Sequence, residues 1–160
     1  MGYTTTFTGK INITPKLNKK EIDYLKRFGE TRRVHRQNGP YYATKKGAKE
    51  QGRDIIDYNS PPEGQPGLWC QWEPTEDGTA LQWDGSEKFY SSVEWMQYLI
   101  KHFLQENPLA KALEPNNFKF LKGHTLNGTI EARGESQLDL WQLVVTNNVV
   151  ETKRGRVVYE

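Results

Sequence analysis

Only Asn147-Asn148 separates the apolar run at residues 139–146 from the next one at 149–153. Two residues suffice for a tight antiparallel turn and are far too few for a crossover to a parallel strand. Asparagine also tolerates the left-handed backbone that such turns need. A third strand-like run at 125–132 comes before them, and Val157-Val158-Tyr159 offers a fourth, so the last third of the chain reads as an antiparallel meander. Leu68-Trp69-Cys70-Gln71-Trp72-Glu73 and Thr79-Ala80-Leu81-Gln82-Trp83 flank Pro74-Thr75-Glu76-Asp77-Gly78 as a second hairpin, with Asp-Gly in its turn. At the start, Tyr3, Thr5, Phe7, Gly9, Ile11 and Ile13 alternate with polar residues at the period of a half-buried strand that Pro15 ends.

Two helices interrupt these strands. Asn18 followed by Glu21 has the form of a capping box, and Ile22, Leu25 and Phe28 recur on one side of a helix predicted to run to about residue 33. Ser91 with Glu94 suggests a second box, with Tyr90 and Trp95 as a hydrophobic staple. Val93, Met96, Leu99, Ile100 and Phe103 then form an apolar stripe to about residue 105. Between Gln37 and Gly67 the breakers Asn38-Gly39-Pro40, Ser60-Pro61-Pro62 and Gln65-Pro66-Gly67 mark a long loop, anchored by Tyr41, Tyr42, Ile55, Ile56 and Tyr58. The expected architecture is a single α+β domain over residues 1–160, with two helices packed on one face of an antiparallel sheet in the order β-α-loop-ββ-α-βββ.

Aromatic residues make up 12% of the 160, including five Trp, so bulky rings supply the core and disorder is not expected. Cys70 is the lone cysteine, which rules out an internal disulfide framework. No apolar run is long enough for a membrane span and the first residues lack the pattern of a signal peptide; a cytoplasmic protein with no membrane partner is expected. Gly2 with Thr6, and the Asn12 and Asn127 sequons, match lipidation and glycosylation patterns that have no meaning in that setting.

Gln65-Pro66-Gly67-Leu68-Trp69-Cys70-Gln71-Trp72, Trp83-Asp84-Gly85-Ser86-Glu87-Lys88-Phe89-Tyr90, Leu126-Asn127-Gly128 and Gly134-Glu135 resemble the motifs of a family of uncharacterised small proteins from bacteria and their phages. The resemblance spans nearly the whole chain and implies a bacterial or phage origin, without a mechanism. Ser86 stands where that pattern has a second Gly, and the stretch from Ala43 to Arg53 is less Gly-rich than the family version.

Charge is distributed unevenly. Lys16 to Arg53 carries 12 Lys and Arg against four acidic residues, whereas Asp54 to Ile100 carries nine Asp and Glu against Lys88 alone. The two segments neutralise one another in the fold, or the first presents a surface to an anionic partner. On the second reading the binding residues are Arg32, Arg33, Arg36, Lys45, Lys46, Lys49 and Arg53, with Tyr41 and Tyr42 between the two basic groups. Trp69 points away from Leu68, Cys70 and Trp72 on its strand and is the Trp best placed for an exposed stacking site, while Trp72, Trp83 and Trp95 read as core. The leading expectation is a non-catalytic, cofactor-free binding protein that holds a nucleotide-like molecule or an acidic protein surface, as an inhibitor or sequestering protein in phage–host conflict. Nucleic acid is a further candidate partner. A small phosphoester hydrolase built on Asp84, Glu87, Lys88 and His124 is the alternative from the enzyme class, and an oligomeric assembly protein is the third. His35, His102 and His124 show no metal-ligand spacing, and no phosphate-binding glycine loop, dinucleotide fingerprint or nucleophile elbow is present.

Overall fold

A computed structural model describes residues 2–45 and 54–160. In chain order its elements are strand β1 (Thr6–Thr14), helix α1 (Lys19–Glu30), short strands β2 (His35–Arg36) and β3 (Ile55–Asp57), strands β4 (Trp72–Pro74) and β5 (Ala80–Trp83), helix α2 (Ser92–Leu99), helix α3 (Leu109–Leu113), and strands β6 (Thr125–Arg133), β7 (Leu140–Thr146) and β8 (Val149–Arg154). Six of the strands form one antiparallel sheet in the order β4-β5-β1-β6-β7-β8, and β2 pairs with β3 as a separate ribbon. This is the α+β class that the hairpin spacing implies.

β1 lies inside the sheet, between β5 and β6, and buries one side. Phe7, Ile11 and Ile13 are buried opposite Ala132, Gly128 and Leu126 of β6, while Thr6, Thr8, Lys10, Asn12 and Thr14 are exposed on the reverse. Gly9, at φ +113°, sits opposite Ile130; a Cβ there would stand 2.8 Å from the Thr129 carbonyl oxygen, so the closeness of β1 to β6 depends on glycine. The two-residue turn between β7 and β8 forms as expected, with Asn147 and Asn148 both at positive φ.

Both long helices cover the buried face. Asn18 caps α1 and accepts from the Glu21 amide, while the Glu21 carboxylate accepts from the Asn18 amide. Tyr24, Leu25 and Phe28 of α1 meet Trp95, Met96, Leu99 and Phe103, with Phe28 centred 5.9 Å from Trp95 and 5.1 Å from Phe103 in edge-on contacts. Trp72 and Trp95 are fully buried, and Trp72 donates through Nε1 to the Ser92 carbonyl at 2.8 Å. After α2 the chain continues as a π-helical turn, Ile100–Leu104, closed by the Gln105 amide on the Ile100 carbonyl. That wider turn buries Ile100, Phe103 and Leu104 together and leaves His102 half-buried.

Several local expectations are corrected. Ser91 stands at φ 58°, in the left-handed region, and its side chain makes no cap; α2 begins without a capping box. Tyr90 is 59% exposed and so cannot staple Trp95. Val157, Val158 and Tyr159 lie outside the sheet. α1 ends at Glu30 because Thr31 turns extended and its Oγ1 donates back to the Arg27 carbonyl, so Arg32, Arg33 and Arg36 leave the helical register altogether.

Candidate functional site

The arginines turn inward. Arg33 is buried, with Nη1 and Nη2 donating to the carbonyls of Pro40 and Tyr42 and its guanidinium 4.1 Å from the centre of the Phe28 ring. Burial lowers its pKa to about 10, which still leaves it charged at neutral pH. Arg36 is buried against Asp54 at 3.1 Å, donates to the Arg32 carbonyl and lies 4.7 Å from the centre of the Tyr42 ring. Carbonyls, a carboxylate and ring faces replace water around these two cations. The fork geometry expected to grip phosphate instead grips the protein's own loop, so Arg33 and Arg36 are corrected from surface contacts to loop supports. Arg32 is half-buried beside them, and Lys45 is exposed. Lys46, Lys49 and Arg53 lie outside the described residues.

What the arginines support is the wall of a groove. Three concavities of about 380, 320 and 260 Å³ run along α1, and Arg27 lines all three. The first lies between α1 and the hairpin, against Ile22, Lys26, Pro74 and Glu76. In the second Lys19, Lys20 and Arg27 face the half-buried Phe120, with Asp23 as the lone acid. The third is bounded by Asn38, Tyr41, Tyr42 and Ala43 on the loop side and by Glu114, Asn117 and Phe118 on the other. Of the residues expected to bind an anion, Tyr41 and Tyr42 therefore do line a concavity, and the cations beside them come from α1.

Long-range contacts assemble this end. Arg27 is fixed by Asp23 at 2.9 Å and by the Thr44 carbonyl at 3.1 Å. Phe120 is placed by the Asn18 side chain, which donates to its carbonyl, and it is flanked in sequence by the exposed Lys119 and Lys122. The Lys122 amide donates to Glu21, about a hundred residues away in the chain. Tyr24 donates to the Tyr41 carbonyl at 2.5 Å, and burial raises both the Tyr24 and Tyr41 hydroxyl pKa values, so both rings stay neutral. The Tyr41 hydroxyl meets Nδ1 of His102 at 2.6 Å. Burial holds that imidazole down to about 4, so His102 is uncharged, shares a hydrogen bond with the neutral Tyr41 hydroxyl and stacks 3.8 Å from Tyr98. Gln65 completes the support by donating to Tyr98 and to the Pro40 carbonyl.

His124 is buried with an acceptor at each ring nitrogen: the Pro15 carbonyl at Nδ1, 2.6 Å, and Glu21 at Nε2, 2.7 Å. Burial lowers its pKa, but the bonds to Glu21 and Pro15 outweigh that and raise it overall. Held at both nitrogens, the ring is an anchor between α1 and the start of β6 and has no free nitrogen to act as a base. Asp84, Glu87 and Lys88 are exposed beyond β5, on the side of β1 nearer Gly9, because Leu81 pairs with Ile11. His124 meets Pro15 at the other end of β1, and at about 3.3 Å per residue the separation is roughly 20 Å. The fold does not bring the proposed hydrolytic set together.

Trp69 is 44% exposed, as its alternation suggests, but it does not line the α1 groove. Cys70 is buried and desolvation pushes its thiol up to about 12, so it packs as a small apolar side chain. Among the described residues no cluster of His, Cys, Asp and Glu is arranged to hold a metal ion, and no helix is long and apolar enough to cross a membrane. Comparison with protein-family models, curated proteins and solved structures finds no match to this chain.

Proposed function

We propose that this chain is a non-catalytic binding protein of bacterial or phage origin that holds a nucleotide-like anion in the groove along α1. The observation that carries the reading is the concavity in which Lys19, Lys20 and Arg27 face the ring of Phe120. Three cations against the single acid Asp23 favour a phosphate, and the ring offers a stacking surface to a base. Asn38, Asn117 and Glu114 line the neighbouring concavity, which shares Arg27 and Phe120 with this one, and supply donors and acceptors for a base edge. Sequestration of a nucleotide signal in phage–host conflict is a use that fits such a site.

The reading is tested by calorimetry with mono-, di- and cyclic nucleotides, short DNA and RNA. The parent should bind at least one small nucleotide, less tightly as salt rises, because the contacts are exposed and screened. A much steeper salt slope with DNA or RNA would transfer the site to nucleic acid. Lys19→Glu with Lys20→Glu should weaken binding at least tenfold while keeping the fold, since both lie in the first turn of α1, where acids are favoured. Phe120→Leu should weaken nucleotide binding more than binding of inorganic phosphate. A parent that binds none of these ligands, or a double variant that binds as the parent does, overturns the proposal.

A further inference from the structure

β8 is a six-residue strand at the edge of the sheet, hydrogen-bonded to β7 on one side. Its ladder phase follows from the turn before it. The pair that flanks a two-residue hairpin loop, here Thr146 and Val149, is a hydrogen-bonded pair, and such pairs alternate along an antiparallel ladder. Odd-numbered residues of β8 therefore direct their amides and carbonyls toward β7, and the Gly155 amide on the Leu140 carbonyl keeps the same phase. The backbone groups of Val150, Thr152 and Arg154 point to the outer edge, where no other described strand pairs.

We infer that β8 pairs antiparallel with β8 of a second copy of this chain about a two-fold axis at Thr152, joining two six-stranded sheets into one of about twelve strands. Charge selects this register. With the axis at Thr152, Glu151 stands opposite Lys153 of the other copy, and the reverse, in the non-hydrogen-bonded pairs where side chains approach most closely. Moving the axis one residue either way would set Glu151 against Glu151 or Lys153 against Lys153. Lys153 and Arg154 would ordinarily guard an edge against pairing, but here Lys153 finds its complement in the same strand of an identical molecule. Thr152 meets its own copy at the axis, and the backbone groups of Val150 and Arg154 complete the ladder.

Sedimentation equilibrium over a concentration series tests this. The parent should show a monomer–dimer equilibrium. Thr152→Pro removes an amide that faces away from β7, so the monomer should stay folded by circular dichroism and the dimer should be lost. Glu151→Lys or Lys153→Glu alone should weaken association about tenfold or more by placing like charges opposite, and the two together should restore it. A parent that is monomeric throughout overturns the inference. So does a folded Thr152→Pro protein that dimerises as the parent does, or a charge-swapped double variant that fails to recover.

Discussion

The β6–β7–β8 meander and the described residues between Thr31 and Gln71 meet the same demand, partners for backbone groups drawn into the fold, in different ways. In the meander each strand answers its neighbour across a continuous register, from Gly128 with Val145 through to Trp141 with Arg154. In the other stretch scattered backbone bonds and the two-stranded ribbon are joined by long side chains: Arg33 takes the Pro40 and Tyr42 carbonyls, Arg36 the Arg32 carbonyl, Arg27 the Thr44 carbonyl and Gln65 the Pro40 carbonyl. A ladder is fixed by the chain's own period, whereas a side-chain scaffold is fixed by residues that in another setting would meet solvent or a ligand. Charge in the sequence thus overstates the charge available at the surface of the second region.

The largest effect should come from the helix packed across the sheet. Leu99 is 2% exposed, so Leu99→Asp buries an unpaired carboxylate and should abolish folding, whereas the exposed Lys101→Asp should leave the circular dichroism spectrum unchanged. Trp72→Ala should follow, at about 3–5 kcal/mol in urea unfolding, because the ring is enclosed by Phe7 and Phe89.

A pH series separates a side-chain anchor from a ladder. Folding raises the His124 pKa above its ordinary 6.5, so its stabilisation is present in full below about pH 6.5 and is lost as pH climbs through the folded value. Glu21 and the Pro15 carbonyl face the imidazole directly, and Glu106 lines the cavity beside it. The urea midpoint of the parent should fall across that range relative to His124→Gln; parallel profiles would show that the pair does not couple protonation to folding. Smallest of all should be Trp69→Ala, within about 1 kcal/mol of the parent as befits a ring 44% exposed. A loss equal to that of Trp72→Ala would place Trp69 in the core.

The sequence foretold what short-range chemistry encodes. Asn18 and Glu21 formed the reciprocal cap because all of its atoms lie within four residues, and Asn147-Asn148 turned because its neighbours alternate. Ser91 and Glu94 carried the same letters without the cap, since the Ser91 backbone is held left-handed. The β2–β3 ribbon is too short to show a period, and the π-helical turn after α2 reads as ordinary helix. The groove was half legible: Tyr41 and Tyr42 stood out, but nothing in the spacing links Lys19 and Lys20 to Phe120, which lies about a hundred residues away and arrives through Asn18 and Glu21. Nor does sequence tell an arginine that grips a ligand from one that grips a carbonyl.

That last distinction is the centre of the account, and native-state hydrogen exchange of Arg33→Met tests it most directly. Methionine can still pack on Phe28 but leaves the Tyr42 carbonyl without its arginine donor and the Pro40 carbonyl with Gln65 alone. The amides of Tyr42, Gln65 and Arg33, bonded to Gly39, Pro62 and Leu68, should lose protection while those of β7 exchange as in the parent. Unchanged protection at those three amides, or an equal loss throughout β7, would contradict the division between a ladder-held sheet and an arginine-held groove wall.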